Sequence, residues 1–90
     1  MEVQLIVKNA EGLHARPAGI FAKKAAQFQS TIQVSVGGQI KSAKSIMGLM
    51  SLSLKKDQEF TLIIDGPDAE EAKIELSQLV NNEFKTASLV

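Results

Sequence analysis

The chain has no cysteine, no tryptophan, no tyrosine and only one histidine, His14. Without cysteine it forms neither a disulfide framework nor a thiolate metal site, and a single histidine argues against a zinc site. We therefore expect no metal and no cofactor. Because phenylalanine is the only aromatic residue type present, the chain offers few platforms on which nucleic-acid bases could stack. Direct binding to nucleic acid is not expected.

Long apolar runs are also missing. No stretch approaches the roughly 20 apolar residues of a membrane-spanning helix, and the opening MEVQLIVKN alternates like a β-strand rather than resembling a signal peptide. We expect a cytoplasmic chain with no direct membrane insertion. Ninety residues suit one domain over residues 1–90, with one core and a functional site on the surface or in a shallow cleft.

Charge is balanced in number but not in position. Residues 1–56 hold eight basic and two acidic residues, whereas residues 57–90 hold two basic and eight acidic ones. The half that contains His14 is therefore positive, which suits a phosphorylated or acidic partner. A chance segregation of solvated charges is the alternative interpretation.

The hydrophobic pattern predicts seven elements in the order β-α-β-β-α-β-α. The first strand covers residues 2–8, and a helix runs from about residue 16 to about residue 27, with Ile20 on its outer face. The buried stripe of that helix consists of five residues, Ala18, Phe21, Ala22, Ala25 and Phe28. A hairpin then turns at Gly37-Gly38, and residues 59–65 form the most apolar strand. The last helix opens at Asp68, with Glu71 in a variant of the capping box.

This order of elements restricts the topology. The crossover through the first helix makes the first two strands parallel, and the apolar fourth strand is best inserted between them, which gives the order 1-4-2-3. We therefore expect an α+β fold, an open-faced β-sandwich. A four-stranded antiparallel sheet would carry two long helices and one short helix on one face.

The segment SAKSIMGLMSLSLKK, residues 42–56, predicts the short helix, with Ser45 as its N-cap. Leu49 and Leu52 would face the core. Three further apolar residues cannot all point inward with them: Ile46, Met47 and Met50. We expect part of this surface to be exposed as an adaptable docking patch. The alternatives are that all three fold under the neighbouring loop and that Ser45 is only a helix cap.

The stretch EGLHARPAG, residues 11–19, places His14 just before the first long helix. A helix N-terminus offers unpaired N–H groups and about half a positive charge, so it binds anions. The expected donors are the N–H groups of Ala15 and Arg16, while Pro17 has none and suits the first turn. The Arg16 guanidinium can pair with two phosphoryl oxygens. Because a neutral imidazole attacks phosphorus without an added base, the stretch predicts a phosphoryl-accepting site.

Two motifs resemble a known family. GLHARPA, residues 12–18, is similar to the active-site signature of the HPr family, the histidine-containing phosphocarriers of the phosphoenolpyruvate-dependent sugar phosphotransferase system. KSIMGLMSL, residues 44–52, resembles the regulatory serine segment of HPr proteins from low-GC Gram-positive bacteria. The resemblance covers essentially the whole chain. It implies the open-faced fold and a stoichiometric phosphoryl carrier rather than an enzyme with turnover.

The resemblance also implies roles for single residues. His14 matches the histidine that enzyme I phosphorylates at Nδ1, giving a pros-phosphohistidine that enzyme IIA domains dephosphorylate. Arg16 matches the arginine that stabilises that phosphate, and Ala15 and Pro17 are expected to stabilise it together with Arg16. Ser45 matches the serine modified by HPr kinase/phosphorylase, a signal in carbon catabolite repression that slows transfer from enzyme I and promotes binding to catabolite control protein A.

The expected partner surface has six members: Ile20, Lys23, Lys24, Ile46, Met47 and Met50. Because a carrier needs a free site, we expect a monomer. Two rival interpretations stay open. One is a regulatory or nitrogen-branch HPr paralogue, although KSIMGLMSL favours the sugar branch and His14 argues against the catabolite-repression paralogue, which lacks the histidine. The other is a ferredoxin-like binding module in which His14 merely caps a helix.

Overall fold

The computed structural model describes residues 1–85. It contains four strands and three helices over that range, in the predicted order. Their bounds are β1 (Glu2–Ile6), α1 (Ala15–Ala25), β2 (Thr31–Val36), β3 (Gln39–Ser42), α2 (Ile46–Ser51), β4 (Glu59–Asp65) and α3 (Ala69–Asn81).

The four strands form one antiparallel sheet in the order β1-β4-β2-β3, which confirms the predicted topology. β4 is central because it is the most apolar strand and can be buried between two neighbours. Its Leu62 lies opposite Val3 on β1 and Val34 on β2, and its side chain is fully buried. β3 is the edge strand, and all four of its residues are exposed. The hairpin before it turns at Gly37 and Gly38, both with positive φ.

The helices cover one face of the sheet, as predicted. All five residues of the predicted α1 stripe are buried in the same hydrophobic cluster as the inward-facing strand residues. Alanines in that stripe let the helix approach the sheet closely. α3 adds Ala72, Leu76 and Val80 to the core, and Phe84 beyond it packs edge-to-face on Phe21 with ring centroids 6.1 Å apart. Within residues 1–85, no helix is both long and apolar enough to span a membrane.

Two details of the helices differ from the prediction. Ile20, expected on the outer face of α1, is half-buried against the edge of the core, because its position borders the apolar stripe. The predicted capping box at the start of α3 is wrong. Asp68 is the N-cap residue, but its carboxylate accepts hydrogen bonds from the backbone N–H groups of Gln29 and Ser30, at 2.8 and 2.9 Å, and makes no capping bond. The hydrogen bond from the Ser30 hydroxyl, and then the one from the Gln29 N–H, hold the pKa of Asp68 below its ordinary value of 3.8.

Candidate functional site

His14 is the N-cap residue of α1. Its backbone is extended, and its carbonyl oxygen accepts the first helical hydrogen bond, from the Ala18 N–H at 2.9 Å. The imidazole is exposed and makes no capping hydrogen bond. The first N–H groups of a helix have no partner within the helix, so those of Ala15 and Arg16 are left open beside the imidazole. Pro17, which has no N–H to leave unpaired, is fully buried and anchors the first turn.

The loop before His14 is held in place by its backbone. Gly12 has a φ of 71°, and a Cβ at this position would collide with the Leu54 carbonyl oxygen. The next residue, Leu13, is buried and donates its N–H to the same carbonyl oxygen at 2.9 Å. Only glycine permits both the positive φ and this close approach. The backbone on one side of His14 is therefore tied to the segment that follows α2.

Asn9 supports the same loop from inside, a role that the sequence analysis missed. Its side chain is buried, with only 2% of its surface exposed. The Nδ2 group donates to the Gly12 carbonyl oxygen at 2.7 Å and to Glu11 Oε1 at 3.3 Å. A single polar residue after an apolar strand is the only signal in the sequence, and it is a weak one.

Glu11 is the second residue that the sequence analysis did not assign. Arg16 Nη2 donates to its two carboxylate oxygens at 3.0 and 3.3 Å, in an ion pair whose side chains are about half exposed. The hydrogen bond from Arg16, and then the one from Asn9, lower the pKa of Glu11 below its ordinary value of 4.5. The guanidinium expected to meet a phosphoryl group therefore already holds an oxyanion.

An open cleft surrounds the imidazole. Its lining residues are Leu13, His14, Ala15, Arg16, Met50, Ser53, Leu54 and Lys55. The cleft brings Met50, on α2, to the same depression as His14, on the N-terminal end of α1. Ser53 shapes this wall of the cleft because its φ of 53° turns the chain sharply after α2. Lys55 adds a positive charge that the sequence analysis did not single out.

α2 packs against α1, and Ser45 is its N-cap residue, as predicted. The Ser45 Oγ accepts a hydrogen bond from the Gly48 N–H at 3.0 Å, which is an N-cap bond. Leu49 is buried, and the apolar residues around it are exposed: Ile46 by 46%, Met47 by 82% and Met50 by 42%. The expectation of exposed apolar surface on α2 is therefore confirmed. This apolar patch (Ile46, Met47 and Met50) meets the His14 cleft at Met50.

The two lysines expected on the partner surface differ in their surroundings. Lys23 is exposed on α1. Lys24 forms an ion pair with Glu75 on α3, with Nζ 2.7 Å from Oε1, so part of its charge is already compensated. Among residues 1–85, no three His, Cys, Asp or Glu side chains are grouped so that they could hold a metal ion.

Comparison with known proteins gives consistent matches. Residues 1–82 match the family model described as the PTS HPr component phosphorylation site. The chain is 42% identical to the HPr-like protein Crh of Halalkalibacterium halodurans, over 92% of this chain and 99% of that protein. It is 43% identical to the phosphocarrier protein HPr of Mycoplasma pneumoniae, over 79% and 82% of the two chains.

Solved structures agree with the sequence relatives. The crystal structure of HPr-C-His from Thermoanaerobacter tengcongensis superposes with a TM-score of 0.90, at 42% identity, and the match covers 93% of this chain and 94% of that one. A structure described as an HPr dimer from the same organism superposes with a TM-score of 0.74, at 41% identity, covering 94% and 98%.

Proposed function

We propose that this chain, which belongs to the PTS HPr family, is a phosphocarrier that takes a phosphoryl group on His14 from phospho-enzyme I and passes it to enzyme IIA domains. One observation carries the proposal: an exposed imidazole stands at a helix N-terminus whose first N–H groups are open. A nucleophile and an anion site therefore share one position.

The proposed step uses only groups of this site. The lone pair on Nδ1 of neutral His14 attacks the phosphorus in line, and the ring keeps its proton on Nε2. The new N–P bond forms as the bond from phosphorus to the donor group breaks, and the donor group leaves with the electron pair. The N–H groups of Ala15 and Arg16 and the Arg16 guanidinium then face the phosphoryl oxygens. Onward transfer reverses the step, so the chain is a stoichiometric carrier and not an enzyme with turnover.

The partner surface proposed for enzyme I and enzyme IIA is the apolar patch on α2 together with α1. Met50 belongs both to that patch and to the His14 cleft, so a protein seated on the patch would reach the imidazole. Lys23 would contribute its charge freely, whereas Lys24 would first have to exchange Glu75 for an acidic group of the partner. Ile20 would contribute the exposed part of its side chain.

Ser45 is the proposed regulatory site, modified by HPr kinase/phosphorylase. A phosphate on an N-cap residue lies at the positive end of the helix dipole, so the fold should stay intact or become slightly firmer. It would add close to two negative charges beside the apolar patch and repel acidic or apolar partners there. The slower transfer from enzyme I would follow from this repulsion, whereas promoted binding of catabolite control protein A would follow if basic groups of that partner pair with the phosphate.

A regulatory role without phosphotransfer is the second candidate, because one of the similar proteins is an HPr-like protein Crh. The histidine at the open end of α1 favours the carrier role. We further propose that residues 1–90 act as a single domain and that the chain works in the cytoplasm as a monomer. Since a similar HPr has been solved as a dimer, sedimentation velocity at micromolar concentration decides this last point.

Incubation with phosphoenolpyruvate and enzyme I, followed by mass spectrometry, tests the carrier proposal. We expect one phosphate that is lost in acid and that is absent from His14→Ala. Persistent labelling of His14→Ala, or no label on the native chain, contradicts the proposal. Arg16→Ala should slow transfer while the fold stays stable, and an equal rate would remove the role assigned to Arg16.

The regulatory proposal needs a separate experiment with ATP and the kinase. We expect an acid-stable phosphate on the native chain and none on Ser45→Ala. The phosphorylated chain should then accept phosphate from enzyme I more slowly than the unmodified chain does. Unchanged transfer after modification of Ser45 would rule out its action as a switch.

A further inference from the structure

The Glu11–Arg16 ion pair occupies the group that a phosphoryl anion on His14 would need. Both carboxylate oxygens of Glu11 lie within 3.3 Å of Arg16 Nη2, so the carboxylate already accepts from one of the guanidinium nitrogens that an incoming anion would use. Arginine binds carboxylates and phosphates through the same planar set of donors. The two anions therefore compete for one cation.

The position of the Glu11 carboxylate is fixed by its neighbours in the loop. Asn9 Nδ2, buried beneath the loop, donates to the Glu11 carboxylate and to the Gly12 carbonyl oxygen. Gly12 in turn fits closely against Leu54, so the loop cannot move away without breaking that contact. The Glu11 carboxylate therefore has a second partner, Asn9, besides Arg16. The Arg16 side chain is bound only through its exposed guanidinium, by Glu11. When a phosphoryl group arrives, we expect Arg16 to change partners and Glu11 to remain in place.

We propose that Glu11 is a positioning residue with two effects on the phosphotransfer proposed above, on which this inference rests. Before transfer, Glu11 holds Arg16 beside the open end of α1. After transfer, its negative charge stays near the phosphoryl group and competes for Arg16. The phosphorylated state is therefore less stable than it would be without the Glu11 charge. A weaker hold raises the tendency of phosphohistidine to pass its phosphate onward, which a carrier requires.

Glu11→Gln is the variant that tests this proposal, because glutamine keeps the length of the side chain and an oxygen that can accept from Asn9 but removes the charge. We expect the equilibrium constant for transfer from phospho-enzyme I to the chain to shift about threefold to fivefold toward phosphorylated His14. A shift of this magnitude corresponds to the free energy that one exposed ion pair contributes. Transfer onward to an enzyme IIA domain should slow correspondingly. The measurement is the phosphorylated fraction at equilibrium, by mass spectrometry.

Glu83→Gln is the matched control. Glu83 also forms an exposed ion pair, with Lys85 at 3.9 Å, and the substitution removes the same charge from a position outside the cleft. We expect its phosphorylation equilibrium to equal that of the native chain. A double-mutant cycle with Arg16→Ala separates competition from simple repulsion, because the effect of Glu11→Gln should shrink when the guanidinium is absent.

The outcomes distinguish this inference from the proposed function. If Glu11→Gln and Glu83→Gln both accept phosphate with the native equilibrium, or if Glu11→Gln shifts toward the unphosphorylated chain, the role of Glu11 is overturned and the carrier role stands. An undiminished effect of Glu11→Gln in the Arg16→Ala background overturns the competition for Arg16. Absence of phosphate from native chain and variants alike overturns the carrier role, and the role of Glu11 with it.

Discussion

The N-terminal ends of α1 and α2 are built differently. At α2 the Ser45 hydroxyl oxygen accepts from the Gly48 N–H, so the helix end is closed by its own side chain. At α1 the His14 side chain makes no such bond and points outward. At α2 the N-cap side chain binds one of the first N–H groups of the helix, while at α1 the N-cap side chain binds none. The difference separates a position that stabilises the fold from one that is free to receive an anion.

The same contrast explains how neighbouring residues are used. In α2, which follows Ser45, Leu49 is buried in the core and attaches the helix to it, while Met47 is exposed and available for contact with a partner. Around His14, buried Asn9 and close-packed Gly12 fix the loop, so the open donors stay oriented without a side-chain cap. Stability at the α1 end thus comes from the loop and not from the residue proposed to react.

Among the variants that test this difference between the two helix ends, Gly12→Ala should lower the free energy of unfolding most. The new Cβ would collide with the Leu54 carbonyl oxygen, and the positive φ would be strained. We expect the free energy of unfolding to fall by roughly 2 to 3 kcal/mol, measured by urea denaturation. Gly19→Ala is the control, because a Cβ at Gly19 meets no atom within 4 Å. Equal losses in the two variants would mean that the loop before His14 is not fixed by Gly12.

A smaller effect should distinguish the two N-cap residues. Ser45→Ala removes a capping hydrogen bond and should lower the free energy of unfolding by about 1 kcal/mol. His14→Ala removes no such bond and should change it by less than about 0.5 kcal/mol. Denaturation curves of both variants measure the difference. A loss at His14 as large as the loss at Ser45 would show that both helix ends are capped by their side chains.

The smallest effect should appear in the pH dependence of stability at the α1 end. Because the pKa of Glu11 is lower in the folded chain than its ordinary value of 4.5, its ion pair stabilises the fold above that pH. The contribution disappears as pH falls through the folded-state pKa. Glu11→Gln should therefore be slightly less stable than the native chain at pH 7, and the difference should be smaller at pH 3. Thermal melts at both pH values measure this, and a constant difference would contradict it.

The sequence predicted the topology because alternating and helical periods were clear and the apolar β4 had only one suitable place. It also predicted the Ser45 cap and the exposed apolar residues of α2, since a short helix cannot bury every apolar face. It could not predict the Asn9–Glu11–Arg16 contacts, because they depend on a loop turned by the positive φ of Gly12. Asp68 looked like a local cap because the sequence does not show that its carboxylate meets Ser30, 38 residues away along the chain.

The open end of α1 is the proposed binding site of the phosphoryl group. The most direct test is a pair of amide ¹H–¹⁵N spectra of the uniformly ¹⁵N-labelled chain, before and after phosphorylation by phosphoenolpyruvate and enzyme I. We predict that the Ala15 and Arg16 N–H signals move strongly downfield as they bond to phosphoryl oxygens, while the Gly48 N–H, already bound to Ser45, stays in place. A phosphorylated chain whose Ala15 and Arg16 signals do not move would contradict the account.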